Sequence, residues 1–188
     1  MRPCKDQSPA LTELAEVIRR SLAGAASAQA SSERVAAILP RFLAKPNLLL
    51  ERQRTTDPAR YLQHVAHVEP DGSFSIVALA WLPGQETPIH DHVCWCAVGV
   101  YEGTEDETRY RLSRREDRSF RLMECGRTQH PAGSALACLP GDDIHRVANH
   151  GDGLAISIHV YGADISALGS SIYRCYNEAT APRARSSA

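Results

Sequence analysis

The 188-residue sequence carries no excess of charge of either sign: 21 Lys and Arg stand against 22 Asp and Glu, a formal net charge of -1. That balance removes the electrostatic case for a nucleic-acid or anionic-membrane partner. No apolar run approaches the length of a membrane span. The opening "MRPCKDQSPALTEL" lacks the apolar core of a secretory signal, so a cytoplasmic setting is expected. No internal repeat is present. Of the six cysteines (Cys4, Cys94, Cys96, Cys125, Cys138, Cys175), Cys94 and Cys96 form a C-x-C pair with no second pair at zinc-knuckle spacing. An even count does not make a disulfide framework in a chain of this length, so most are expected reduced, with Cys138 in "SALACL" as plain core. What is present, 43% apolar and 23% charged residues, suits one soluble domain with a substantial core.

The first third reads as helical. In "PALTELAEVIRRSLAG", Leu11, Leu14, Ala15, Val17, Ile18 and Leu22 recur at three-and-four spacing, with Gly24 as the stop. After a small-residue linker, "AASAQAS", the run "SERVAAILPRFLA" predicts a second amphipathic helix, opened by Ser31 or Ser32 and interrupted by Pro40. From about Tyr61 the texture changes to short apolar or alternating runs ("YLQHVAHVE", "SFSIVALAWLP", "CWCAVGVYEG", "TRYRLSR", "SFRLMECGRTQH", "SALACLP", "LAISIHVYG"), punctuated by "EPDGS", "LPGQE", "LPGDD" and "NHGDG". Many short strands joined by turns predict an all-β core, a sandwich or barrel. The expected organisation is a helical segment over 1–57 packed on a barrel over 58–176, with a disordered tail over 177–188.

Histidines carry the chemical signal. His90 and His92 stand two apart in "PIHDHVCWCAVGVYEG", so on a strand both side chains point to one face. "LPGDDIHRVAN" places His145 just after a turn, and in "SIHVYG" Ser157, His159 and Tyr161 share a strand face. Imidazole suits first-row divalent metals. Three histidines without a carboxylate form a neutral set that leaves coordination positions open and tolerates an anionic thiolate. The alternative is a set of incidental histidines on half-buried strands.

The spacing resembles the cupin superfamily. Gly84, five residues, His90-x-His92, three residues, Cys96, six residues and Gly103 fit the first cupin motif, with Cys96 where that motif usually has glutamate. Pro140, His145 and Asn149 keep the spacing of the second, with its glycine displaced to Gly141 and Asp142 in the usual slot. The resemblance implies a double-stranded β-helix (jelly-roll) barrel behind N-terminal α-helices. Within cupins the match, over roughly residues 58 to 175, is to thiol dioxygenases of the cysteine dioxygenase type. It implies Fe(II) held by His90, His92 and His145, with Ser157, His159 and Tyr161 as supporting triad. It further implies insertion of both atoms of O2 into the sulfur of a small thiol, giving a sulfinate. In the mammalian type the cysteine at the position of Cys96 forms a thioether with the triad tyrosine, here Tyr161. Cys94 shares the parity of Cys96 but misses the motif position.

The resemblance also bears on substrate. Cysteine-specific members grip the carboxylate with an arginine in a Tyr-x-Arg setting; here Tyr61 is followed by Gln63, as in the bacterial 3-mercaptopropionate dioxygenase branch. That branch usually carries an arginine about nine residues after the tyrosine, where this chain has Gly169 and Ser170; Arg174 is the nearest later cation for a substrate carboxylate. By strand parity Gln63 and His67 share a face and His64 does not. The expected substrate is a mercapto acid such as 3-mercaptopropionate, with cysteine and mercaptosuccinate as alternatives. The expected assembly is a monomer or weak homo-oligomer. The rivals are another metal-dependent cupin enzyme and a non-catalytic binding cupin.

Overall fold

The computed structural model describes residues 7–114, 116, 120–141 and 143–177. Cys4, Asp142 and the tail over 178–188 lie outside the described residues.

Helix α1 spans Pro9–Leu22. Ser8 caps it, its hydroxyl accepting from the Leu11 amide at 3.0 Å, and proline at the first helical position leaves no stranded donor. Helix α2 spans Ala28–Leu43 and departs from expectation at both ends. Ser27 caps it, accepting from the Ala30 amide at 3.1 Å, so half of the small-residue linker is helical. Ala28, Gln29 and Ala30 are strong helix formers, and the serine that precedes them is an equally good cap. Ser32 instead points into the protein, fully buried, and donates to the Cys96 carbonyl at 2.7 Å. Pro40 lies on the exposed side of α2, and the helix runs on through it because Leu39, Phe42 and Leu43 are buried against the barrel.

Ten antiparallel strands follow: β1 (Leu62–Val68), β2 (Ser75–Trp81), β3 (Ile89–His92), β4 (Cys96–Glu102), β5 (Thr104–Arg114), β6 (Phe120–Pro131), β7 (Ala135–Cys138), β8 (His145–Ala148), β9 (Ala155–Tyr161) and β10 (Ile172–Tyr176), with a one-turn helix α3 (Ile165–Leu168) before the last. They form two five-stranded sheets, β1-β2-β9-β4-β7 and β10-β3-β8-β5-β6. This is the two-sheet cupin architecture, and the N-terminal helices cover the first sheet.

Strands β2 and β9 at the centre of the first sheet are buried on both faces, which is why "SIVALAW" and "AISIHVY" read as continuous rather than alternating runs. Ile76, Ala78, Ala80, Ile156, Ile158 and Val160 pack in one cluster with Leu11, Leu14, Ile18, Leu39 and Phe42 of the helices. The alternate residues, Val77, Leu79, Trp81 and Tyr161, belong to a separate inner cluster with Cys96, Val98 and Cys138. Helix α2 sits close: a Cβ on Gly99 would lie 2.9 Å from Leu43 Cδ1. The motif glycine Gly103 turns with φ 72°, and a Cβ there would meet the Leu154 carbonyl oxygen at 2.5 Å. No helix among the described residues is long and apolar enough to cross a membrane.

Candidate metal centre and its hydrogen-bonded wall

His90 and His92 project from β3, and His145, first residue of β8, is the register partner of His90. Adjacent antiparallel strands thus put three imidazoles on the inner face. Ring centroids are 4.9 Å (His90–His92), 4.8 Å (His90–His145) and 5.2 Å (His92–His145) apart. One ligand atom from each lies within 4.8 Å of the others, and the group contains no carboxylate.

Each ring is held from behind through Nδ1. His90 Nδ1 lies 2.9 Å from the Pro88 carbonyl, His92 Nδ1 2.8 Å from Asp143 Oδ2, and His145 Nδ1 2.8 Å from Glu107 Oε1. With the proton on Nδ1, each Nε2 keeps its lone pair for a metal. Burial, with the neighbouring imidazoles, lowers the pKa of His90 to about 3, and burial lowers that of His145, so both rings stay neutral. Burial alone would raise the Glu107 carboxyl, but bonds from His130 and His145 hold it well below the usual carboxylate range. Buried His145 Nε2 has no hydrogen-bond partner among the described residues. An orphaned ring nitrogen among two others, all backed by acceptors, fits a bound divalent metal.

On facing β9, Ser157, His159 and Tyr161 form one hydrogen-bonded line. Tyr161 Oη lies 3.2 Å from His159 Nδ1, His159 Nε2 lies 2.9 Å from Ser157 Oγ, and the Trp81 indole donates to Ser157 Oγ at 3.3 Å. Burial, with the three facing histidines, holds His159 well below the ordinary imidazole value; burial holds Tyr161 well above the ordinary phenol value. Cys96 is the cross-strand partner of Tyr161, fully buried, with Sγ 3.9 Å from His159 Nδ1. Burial raises the Cys96 thiol well above its ordinary value and that of Cys94 to about 11, so neither is a ready thiolate. No disulfide joins the described cysteines.

Gln63 lines the same cavity, together with Tyr61, which stacks on Trp81 at 4.4 Å, and Ser171. Two expectations fail. A bulge between Val65 and His67 breaks the parity of β1: Gln63 pairs with inward Leu79, but His67 pairs with helix-facing Ile76 and hydrogen-bonds Gln7 and Glu69. His64 is half-buried, its Nε2 2.9 Å from the Thr55 carbonyl. Arg174 does not reach the cavity. It lies on β10 opposite Asp91, whose position between two inward histidines turns it to the outer face, and its guanidinium binds Asp91 Oδ2 at 2.6 and 2.9 Å. The sequence reading passed over Asp143, Glu107 and Glu105. Asp143 stands two before His145, in the turn that leads into β8, and Glu105 and Glu107 stand two apart soon after the motif glycine, so on a strand they share one face.

Two antiparallel sheets enclosing three inward histidines and a serine–histidine–tyrosine line define a cupin with a metal-type centre. The sequence pattern of "Cysteine dioxygenase type I" matches residues 4–169, and the chain belongs to that family. Its members are thiol dioxygenases, oxidoreductases that incorporate O2. Among solved structures, the chain is similar to a Thermus thermophilus protein (20% identity, 61% of this chain and 94% of that one, TM-score 0.44). It is also similar to an RmlC-like cupin from Desulfovibrio desulfuricans (22%, 63% and 96%, 0.43). A Klebsiella pneumoniae protein with a double-stranded β-helix domain is a third (18%, 64% and 91%, 0.46).

Proposed function

We propose that the protein is a non-haem iron thiol dioxygenase acting on a small mercapto carboxylic acid such as 3-mercaptopropionate, adding both atoms of O2 to the thiolate sulfur to give the sulfinate. The observation that carries this reading is the meeting, across one cavity, of three backed imidazoles with the Tyr161–His159–Ser157 line. His90, His92 and His145 would hold Fe(II), which when bound supplies a redox-active Lewis acid to bring thiolate and O2 together.

The chain's own residues do the rest. Leu79, Val147 and the stacked Tyr61–Trp81 pair make an apolar wall that limits water around the reacting sulfur. The Gln63 amide and the Tyr61 hydroxyl offer neutral donors to the far end of the substrate. No Lys or Arg lines this cavity among the described residues. A carboxylate held by neutral donors favours a substrate without the extra ammonium group of cysteine. Tyr161 presents its hydroxyl from the β9 wall, and His159, fixed by Ser157, orients it. Cys96, the cross-strand partner of Tyr161, would form a thioether with its ring. Each partner gives up one hydrogen, the S–H and a ring C–H, and the electron pair passes to O2.

The test is an oxygen-consumption screen of the Fe(II)-loaded protein with 3-mercaptopropionate, cysteine, mercaptosuccinate, cysteamine and homocysteine, with sulfinate identified by mass spectrometry. Turnover led by 3-mercaptopropionate is expected. Preference for cysteine overturns the substrate assignment, and absence of sulfinate with every thiol overturns the activity.

A further inference from the structure

Glu105 is the one acid, among the described residues, whose carboxyl faces the back of the Ser157–His159–Tyr161 line. It is 3% exposed, and its Oε1 has no hydrogen-bond partner among the described residues. Its hydrogen-bonding neighbours are the Ser157 hydroxyl on β9 and the Trp81 indole on β2. Around it stand His130, its register partner on β6, Glu107 on its own strand and Cys96 on β4. No Lys or Arg among the described residues bonds it, whereas Glu107 close by hydrogen-bonds His145 and His130 and pairs with Arg109. A buried carboxyl left without a cation sits at the end of a continuous run of exchangeable protons that finishes in the cavity.

We propose that Glu105 is a positioning residue that sets the direction of the Ser157–His159–Tyr161 hydrogen-bond chain and takes up, through it, the proton shed by the substrate thiol. The inference rests on the thiol reading above.

Trp81 can only donate to Ser157, so the remaining bonds have two consistent arrangements. With Glu105 ionised, Ser157 donates to its carboxylate, His159 Nε2–H donates to Ser157, and Tyr161 donates to His159 Nδ1. The phenol oxygen then offers a lone pair to the cavity. With Glu105 protonated every bond reverses: Glu105 donates to Ser157, Ser157 to His159 Nε2, and His159 Nδ1–H to Tyr161, whose hydroxyl proton turns to the cavity. The two arrangements differ by one proton. A thiol S–H that protonates Tyr161 Oη sends the tyrosine proton to His159 Nδ1, the His159 Nε2 proton to Ser157, and the serine proton to Glu105. The products are a thiolate and a neutral Glu105. His159 has exchanged tautomers, and every other group keeps its proton count. Proton uptake thereby turns Tyr161 from acceptor to donor as the substrate becomes an anion. Burial, outweighing the Ser157 and Trp81 hydrogen bonds and the His130 imidazole, raises Glu105 to about 7, where such an acid exchanges protons under ordinary conditions.

The experiment follows the His159 tautomer by nitrogen NMR in the histidine-labelled full chain without metal, across neutral pH, in wild type and Glu105→Gln. His159→Asn assigns the signal. Wild type is expected to move from Nδ1–H at low pH to Nε2–H at high pH, and E105Q to keep one tautomer throughout. A wild-type tautomer that does not change overturns the proposal, even if E105Q fails to fold; so does the same change persisting in E105Q. In the iron-loaded enzyme, thiol kcat/KM should rise with pH through the same transition. E105Q should lose that limb and fall on the order of 100-fold. An unchanged pH limb in E105Q overturns the relay. If no thiol is oxidised by wild type while the tautomer still switches, the dioxygenase reading fails and the direction-setting role of Glu105 stands.

Discussion

Glu107 offers the sharpest test of how the metal centre is built. Its Oε1 accepts from His145 Nδ1 at 2.8 Å, and it is 4% exposed. A charge-assisted bond of this kind contributes ~1.5–3 kcal/mol against ~0.5–1.5 for a neutral one. Glu107→Gln keeps an acceptor and loses the charge, a difference of about 1.4 kcal/mol, or about tenfold in metal affinity. Glu107→Leu removes the acceptor. The His145 Nδ1–H must then stay unpaired, or the ring must move its proton to Nε2 and cease to be a ligand. The first course alone costs a further ~1–3 kcal/mol, so affinity should fall about 100-fold, within the range known for partners that orient metal-binding histidines. Fe(II) and Zn(II) affinities, measured by competition with a chromophoric chelator, should therefore fall in the order wild type, Gln, Leu. Wild-type affinity in the folded leucine variant would refute the argument that the carboxylate sets the His145 tautomer.

Three further outcomes are expected. Tyr161→Phe removes a hydroxyl but no metal ligand, so metal content should match wild type while thiol turnover drops ~100-fold, read by metal analysis beside oxygen uptake. Arg174→Ala should leave KM for every carboxylate thiol unchanged and lower the melting temperature, because Arg174 serves buried Asp91 on the outer face. Arg19→Ala should destabilise in a pH-dependent way. Bonds from Arg19, against the effect of burial, hold Glu69 below its ordinary 4.5 and tie α1 to the first sheet at 2.6 Å. A depressed carboxyl contributes stability above its unfolded pKa and loses it as pH falls through the folded one. The variant should lose about 1 kcal/mol near neutrality, discounted because Arg19 is 43% exposed, and nothing at low pH, as read from urea unfolding.

Much of this was legible in the sequence because period and punctuation survive folding. Strand alternation placed His90 with His92, and Ser157 with His159 and Tyr161, without any knowledge of the partner strands. What failed depends on tertiary context. Parity assigned His67 to the face of Gln63, and a single inserted residue in β1 reversed it. Distance along the chain made Arg174 the nearest cation, but β10 pairs with β3 in the register that turns it away from the cavity. Ser32 looked like a helix cap because caps are local, whereas its bond to the Cys96 carbonyl spans 64 residues. "TEDETRY" drew no assignment to the site, since composition does not reveal that two of its acids point inward.

Those two acids show how one strand supplies two different carboxyls. Glu105 and Glu107 lie on one face of β5, both buried, yet they are driven in opposite directions. Glu107 has two imidazoles within hydrogen-bond reach and Arg109 at 3.2 Å, so it stays ionised and fixes a metal-type ligand. Glu105 has only a hydroxyl and an indole as hydrogen-bonding neighbours, with His130 and Glu107 acting from further off, and burial wins, raising it to about 7. Burial is common to both, so the partners decide. Supplying Glu105 with a cation should therefore abolish the difference. Cys96→Lys cannot do so without destroying the core. Ser157→Lys would remove the line itself. The neutral hydrogen-bonding partners of Glu105 are residues that build and back the triad wall, which is why its proton and the direction of that wall are coupled.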